Sequence, residues 1–249
     1  MISLLLVLIL ILVLIYGIYS NVQSPLTIKS YIITNYMYVF TALLLFILTN
    51  TTIEKQNIDV MNIGNKTLPL FILTILLLIG IFFTPAKQQI PLHLMWVGLI
   101  ILLSVSSYPI YLLAKQEQIL NKVLITLGVI FISMSYLAYT NKLNWLQNYA
   151  AYFTFALLGL IVFESLDLLF YNNNKEQNTR FWFYSIIAII IFSGLIIYDT
   201  QKIIKEAKIL KIACRSRSHL ECANYPKKTI SMFLNLLNLF NNLTNVYRK

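Results

Sequence analysis

The chain has 249 residues, of which 59% are hydrophobic and only 11% charged, and it carries a formal net charge of +10. Soluble domains are about a quarter charged, so this composition excludes a soluble globular protein and indicates an integral membrane protein. No soluble segment interleaves basic and aromatic residues, so the positive charge reads as membrane topology with attraction to anionic lipid, and nucleic-acid binding is not expected.

A spanning helix needs about 20 mostly apolar residues at a rise of about 1.5 Å each. Segments of that kind lie at about 2–20, 30–50, 68–83, 92–113, 120–139, 149–171, 181–203 and 228–246. Helices are expected because backbone groups find no water partners in lipid, and the alternation of a barrel strand is absent. The first segment has no basic residue before it and no small-residue cleavage pattern after it, since Gly17-Ile18-Tyr19-Ser20-Asn21 matches poorly. It reads as a retained anchor rather than a cleaved signal peptide.

Between the third and fourth segments, Pro85 and Pro91 bracket a tight connection, and Pro109 inside the fourth predicts a kink. Asn172-Asn173-Asn174 reads as a turn, and Ile204–Lys227 as a loop. No loop is long enough to bury a core of its own. No internal repeat supports an inverted-repeat transporter.

Lysine and arginine in short loops set orientation. Eight of them fall between Lys202 and Lys228, and Lys29, Lys87 and Lys142 join them on the same side. The other side receives Lys55, Lys66, Lys115, Lys122, Lys175 and Arg180. The stretch 202–228 is therefore expected to be cytoplasmic, with Met1 on the lumenal or exterior side. Cys214, His219 and Cys222 lie in that stretch but lack a fourth ligand for zinc. In a reducing compartment the cysteines read as two free thiols. Asn50-Thr51-Thr52 and Asn65-Lys66-Thr67 match the glycosylation acceptor pattern, too near the membrane to be modified.

No catalytic constellation is visible, and no metal site or cofactor is expected. His93 and His219 are the two histidines, and neither has a Ser, Cys or metal partner nearby in sequence. Three acids lie in or beside spans: Glu164, Asp167 and Asp199. A carboxylate at the centre of a membrane helix costs roughly 2.5–3.5 kcal/mol, so such groups usually face protein or a water-filled path. Glu164 and Asp167 share a helix face, as a cation site would require. Asp167, however, is only about four residues from the polar run at Tyr171, roughly 6 Å of helix, and reads as interfacial. By spacing alone, Asp199 reads as a partner of Lys202 at i+3.

The run Phe192-Ser193-Gly194-Leu195-Ile196-Ile197-Tyr198-Asp199-Thr200-Gln201 resembles the sixth-helix signature of the Bax inhibitor (Lifeguard) family of multi-pass membrane proteins. Leu120 to Thr140 is similar to that family's helix ending in a Leu-x-x-Tyr-Thr motif, and Ile230-Ser231-Met232-Phe233-Leu234-Asn235-Leu236-Leu237-Asn238-Leu239-Phe240 to its short last helix. The likeness runs from about Lys29 to Val246, and segment 2–20 has no counterpart in it. The resemblance implies an all-α integral membrane protein, a seven-helix bundle (29–249) preceded by one additional N-terminal transmembrane helix (1–28). It also implies an ion pathway and pH sensor built on Asp199, the residue at Asn235 and Glu164, with Tyr198, Thr200 and Gln201 completing the motif.

In the family the sixth-helix Asp pairs with an Asp of the last helix in a proton-sensitive switch that gates a calcium leak. Here the second position is Asn235, with Ser231, one turn earlier, the other candidate. Two carboxylates in contact share a proton, whereas Asn cannot titrate. The resemblance thus implies a non-enzymatic modulator of cell death and intracellular calcium, a passive leak with a weakened pH switch. Its partners would be the lipid bilayer, Ca2+ and host cell-death regulators. Its place would be an endoplasmic reticulum or Golgi membrane. The richness in Ile, Asn, Lys and Tyr fits an AT-rich genome and suits a viral homologue, which would place it in a virion's internal membrane. The alternative is a non-conducting structural membrane protein that keeps the fold.

Overall fold

The computed structural model describes residues 4–23, 26–56, 67–140, 152, 155–160, 162, 174–214 and 222–248. Among these the chain is all-helical. The elements are α1 (Leu4–Gln23), α2 (Ile28–Lys55), α3 (Thr67–Phe83), α4 (Gln89–Ser106), α5 (Tyr108–Gln116), α6 (Leu120–Tyr139), α7 (Asn174–Ala213) and α8 (Tyr225–Tyr247). Ile28–Lys55, Gln89–Ser106, Leu120–Tyr139 and Arg180–Ala213 are each long and apolar enough to cross a bilayer. Val7–Gln23 and Leu68–Phe83 are shorter apolar stretches. The expected segment 149–171 lies largely outside the described residues, although residues 155–160 are helical.

Local chemistry explains the boundaries. Thr27 caps α2 by accepting from the Ser30 backbone N–H, while the Ser30 hydroxyl accepts from the Thr27 backbone N–H, a reciprocal capping box. The expected tight connection between Pro85 and Pro91 closes with Gln88 N donating to Pro85 O at 3.0 Å. Pro91 sits in the first turn of α4, where its missing N–H costs nothing. Pro109 does more than kink the fourth segment. The helix ends at Ser106 and a new one starts at Tyr108, because Pro109 has no N–H to donate and its ring clashes with the carbonyl four residues back. The turn after α5 is a Schellman-type closure: Gln118 takes φ 59°, and Ile119 N donates to Ala114 O at 2.9 Å.

Two expectations are corrected here. The stretch 204–213 is helix, not loop, since α7 runs on to Ala213. Its side chains keep a helical period, with Ile203, Ala207 and Cys214 buried and Lys202, Lys205, Lys208 and Lys211 exposed. At 1.5 Å per residue, 40 residues of α7 reach about 60 Å, twice the roughly 30 Å hydrocarbon core, so the basic end extends past it. Second, Cys214 and Cys222 form a disulfide with Cα atoms 6.2 Å apart, rather than two free thiols. The fold brings together two residues whose spacing alone gave no pairing. Closing a loop of 8 residues removes unfolded-state entropy worth about 2–3 kcal/mol. Adding reductant to the oxidised protein is therefore expected to lower its unfolding temperature, and Cys214→Ser should make the melt insensitive to reductant.

The chain forms two compact units, Met1–Leu112 with Ile203–Phe233, and Leu113–Lys202 with Leu234–Lys249. The first is centred on aromatic packing: Tyr38 stacks on Tyr225 at 5.6 Å, Tyr31 lies 5.3 Å from Tyr225, and Trp96 meets Tyr38 edge-on at 5.4 Å. In the second, Met134 and Ala138 of α6 pack against Ile197 of α7. Thr126 and Tyr247 share a hydroxyl hydrogen bond of 2.9 Å, and the Lys122 ammonium lies 5.1 Å above the Tyr247 ring.

Candidate functional site

Within the second unit, the spacing of apolar residues on α8 decides which side chains point inward. Leu236, Leu239, Phe240 and Leu243 are buried at intervals of three and four, and Asn235 falls on the same stripe. On α7, Ile196 and Ile197 are buried one turn before Asp199, which places the carboxylate on the core-facing side. Asp199 is 6% exposed and Asn235 8%. The Asn235 amide Nδ2 donates to Asp199 Oδ2 at 2.8 Å. That distance is typical of a bond to a charged acceptor. Asn235 thus gives a buried carboxylate the donor that its burial demands.

The rest of the motif surrounds this pair. Thr200 and Gln201 are buried at 1% and 2%, and Tyr198 is half-buried. Lys202, the partner suggested by spacing, is exposed, and so is Ser231, the other candidate for the second position. Glu164 and Asp167 lie outside the described residues. Chemically, the acid–amide pair holds one titratable group, so it can change its charge by one and no more. Among the described residues no group of three His, Cys, Asp or Glu side chains is placed to hold a metal ion. The acceptor pattern at Asn50 falls within α2, where Asn50 is fully buried and its Nδ2 donates to Phe46 O at 2.7 Å.

Two polar groupings in the first unit were not legible in the sequence. Glu206 of α7 accepts from the Lys228 ammonium of α8 at 2.5 Å and from the Tyr31 hydroxyl of α2 at 3.3 Å, tying three helices together. Its only sequence signal is one acid among lysines. His93 of α4 meets Tyr38 of α2, 55 residues away in sequence, so a search for neighbouring partners could not find it.

These features define a polytopic helical membrane protein with a buried acid–amide pair between two of its helices. The family described as Inhibitor of apoptosis-promoting Bax1 matches residues 26–249, and the chain belongs to that Bax inhibitor family. It is a multi-pass membrane protein. It is 28% identical over 119 residues to an uncharacterized membrane protein of Vibrio cholerae, a match covering 48% of this chain and 44% of the relative. It is 26% identical over 139 residues to an uncharacterized protein of Borreliella burgdorferi, covering 56% of this chain and 55% of the relative. The chain thus spans about half the length of the curated relatives it matches. The family match begins at residue 26, so α1 precedes it.

Proposed function

We propose that this Bax inhibitor-like protein modulates cell death and intracellular calcium as a passive calcium leak whose pH switch is weakened. The observation that supports this reading is the buried 2.8 Å bond from Asn235 to Asp199. It keeps the acid of the family motif at the contact between the two helices while replacing its titratable partner by an amide. The same bond favours a second reading, a non-conducting structural membrane protein, because a satisfied acid–amide pair also serves as a fixed interhelical clamp. Neither role calls for an enzymatic step. Calcium release from proteoliposomes separates them: release above that of empty vesicles is expected for the leak, and none for the structural protein. Lipid, Ca2+ and cell-death regulators of a host are the partners this reading calls for, in an intracellular membrane.

The basic stretch 202–228 is proposed to face the cytoplasm. Eight Lys and Arg side chains favour that side. The Cys214–Cys222 bridge favours an oxidising compartment instead, but eight cationic side chains are set against this single bridge, and the charge weighs more. After reduction in sealed vesicles of known orientation, an impermeant maleimide should reach Cys214 and Cys222 only from the cytoplasmic face. Labelling from the opposite face would reverse the topology.

A further inference from the structure

We propose that α1, α2 and α4 enclose a binding site for one acyl chain of a bilayer glycerolipid. A cavity of about 580 Å³ lies among these helices, within the roughly 300–1,000 Å³ of small-ligand sites. One wall is a stripe on α1, where Ile11, Ile15, Ile18 and Val22 recur at helical spacing. This stripe precedes the region matched by the family, so one wall of the site is supplied by the additional helix.

Length identifies the occupant. From Ile11 to Val22 the wall rises about 16 Å at 1.5 Å per residue, close to the roughly 15 Å depth of one leaflet's hydrocarbon. α1 packs along α2. Asn21 Nδ2 lies 3.6 Å from Met37 Sδ, and Gly17 lets Met37 approach so closely that an added Cβ would lie 3.1 Å from its Cε. Gln23, the last residue of α1, is taken as the interfacial end of the cavity and Ile11, near the middle of that helix, as its deep end. Ile15 is 50% exposed, so the wall is continuous with the lipid-facing surface of α1.

Hydrogen bonding makes the body of the cavity a poor site for water or ions, its other polar side chains, Tyr19 and Gln23, lying toward the C-terminal end of α1. His93 and Tyr38 line it, yet they satisfy each other. His93 Nδ1–H donates to Gln89 O at 2.7 Å, which leaves Nε2 to accept from the Tyr38 hydroxyl at 2.5 Å. Thr41 spends its hydroxyl on Met37 O at 2.8 Å. The Trp96 indole N–H has no acceptor among the described residues, but the atom is itself buried. A water in such a cavity would find too few partners, whereas hydrocarbon loses nothing by entering it.

Trp96 supplies the test. In a variant keeping it as the only tryptophan (Trp145→Phe, Trp182→Phe), emission should be strongly quenched in vesicles of phosphatidylcholine brominated on its acyl chains, although the side chain is only 3% exposed. Filling the cavity with Ile18→Phe and Val97→Phe should restore the emission. Leu12→Phe, on the outer face of α1 at 66% exposure, should leave the quenching intact. No quenching of Trp96, or quenching unchanged by filling, would overturn the proposal, since surrounding lipid would then account for everything. Quenching by brominated free fatty acid but not by the brominated phospholipid would overturn the glycerolipid assignment. Should the filled variant not fold, mass spectrometry of the unmodified protein in mild detergent decides: a retained phospholipid supports the site and its absence overturns it.

Discussion

Replacing Asn235 by Asp is expected to convert a calcium leak with little pH dependence into one that varies steeply between about pH 6 and 8, the range a perturbed acid covers. In the native protein Asp199 faces an amide at 2.8 Å. An amide has no proton to share, so the repulsion that couples two carboxylates is missing. With Asp at 235 the two acids in contact would titrate as a pair with macroscopic steps belonging to both. Where only the shared proton titrates across that range, a population changes by at most about tenfold per pH unit, or about 1.4 kcal/mol, which sets the ceiling on the acquired slope. Asp199→Asn should remove whatever dependence the native protein shows. Calcium flux from proteoliposomes across that range is the measurement. Steep native gating that Asn235→Asp leaves unchanged would place the sensor elsewhere, with Glu164 the first candidate.

The largest loss of stability is expected from truncating the α8 core. Phe240 is 1% exposed on the same stripe as Asn235, and Phe→Ala in a packed core costs roughly 3–5 kcal/mol. In a membrane protein the transfer part of that cost shrinks, because lipid tails solvate a phenyl ring as well as the core does. The cavity left behind still costs, so Phe240→Ala should fall near the lower end. Phe83→Ala offers the contrast: at 84% exposure on α3 it should shift stability by less than about 0.5 kcal/mol. Thermal unfolding of both variants in the same detergent tests the pair of values. Equal shifts would mean that α8 does not pack as described.

Composition and hydrophobic run length by themselves determined that this is an all-helical membrane protein, since lipid leaves the backbone few alternatives and 20-residue apolar runs admit few readings. The Tyr198-Asp199-Thr200-Gln201 motif and the divergence at Asn235 were equally legible, because they depend on residue identity alone. Tertiary structure decided the rest. That Asp199 meets Asn235 depended on which face of α7 is buried and on the packing stripe of α8. The helical course of 204–213 was hidden because lysine-rich sequence masked a helical period in its few apolar residues, and the Cys214–Cys222 bridge depended on where the fold places the two thiols. His93 with Tyr38, and Glu206 with Lys228 and Tyr31, join residues far apart along the chain. Spacing in sequence governs neighbours on one helix, but contacts between helices are set by crossing and register, and only the folded bundle holds those.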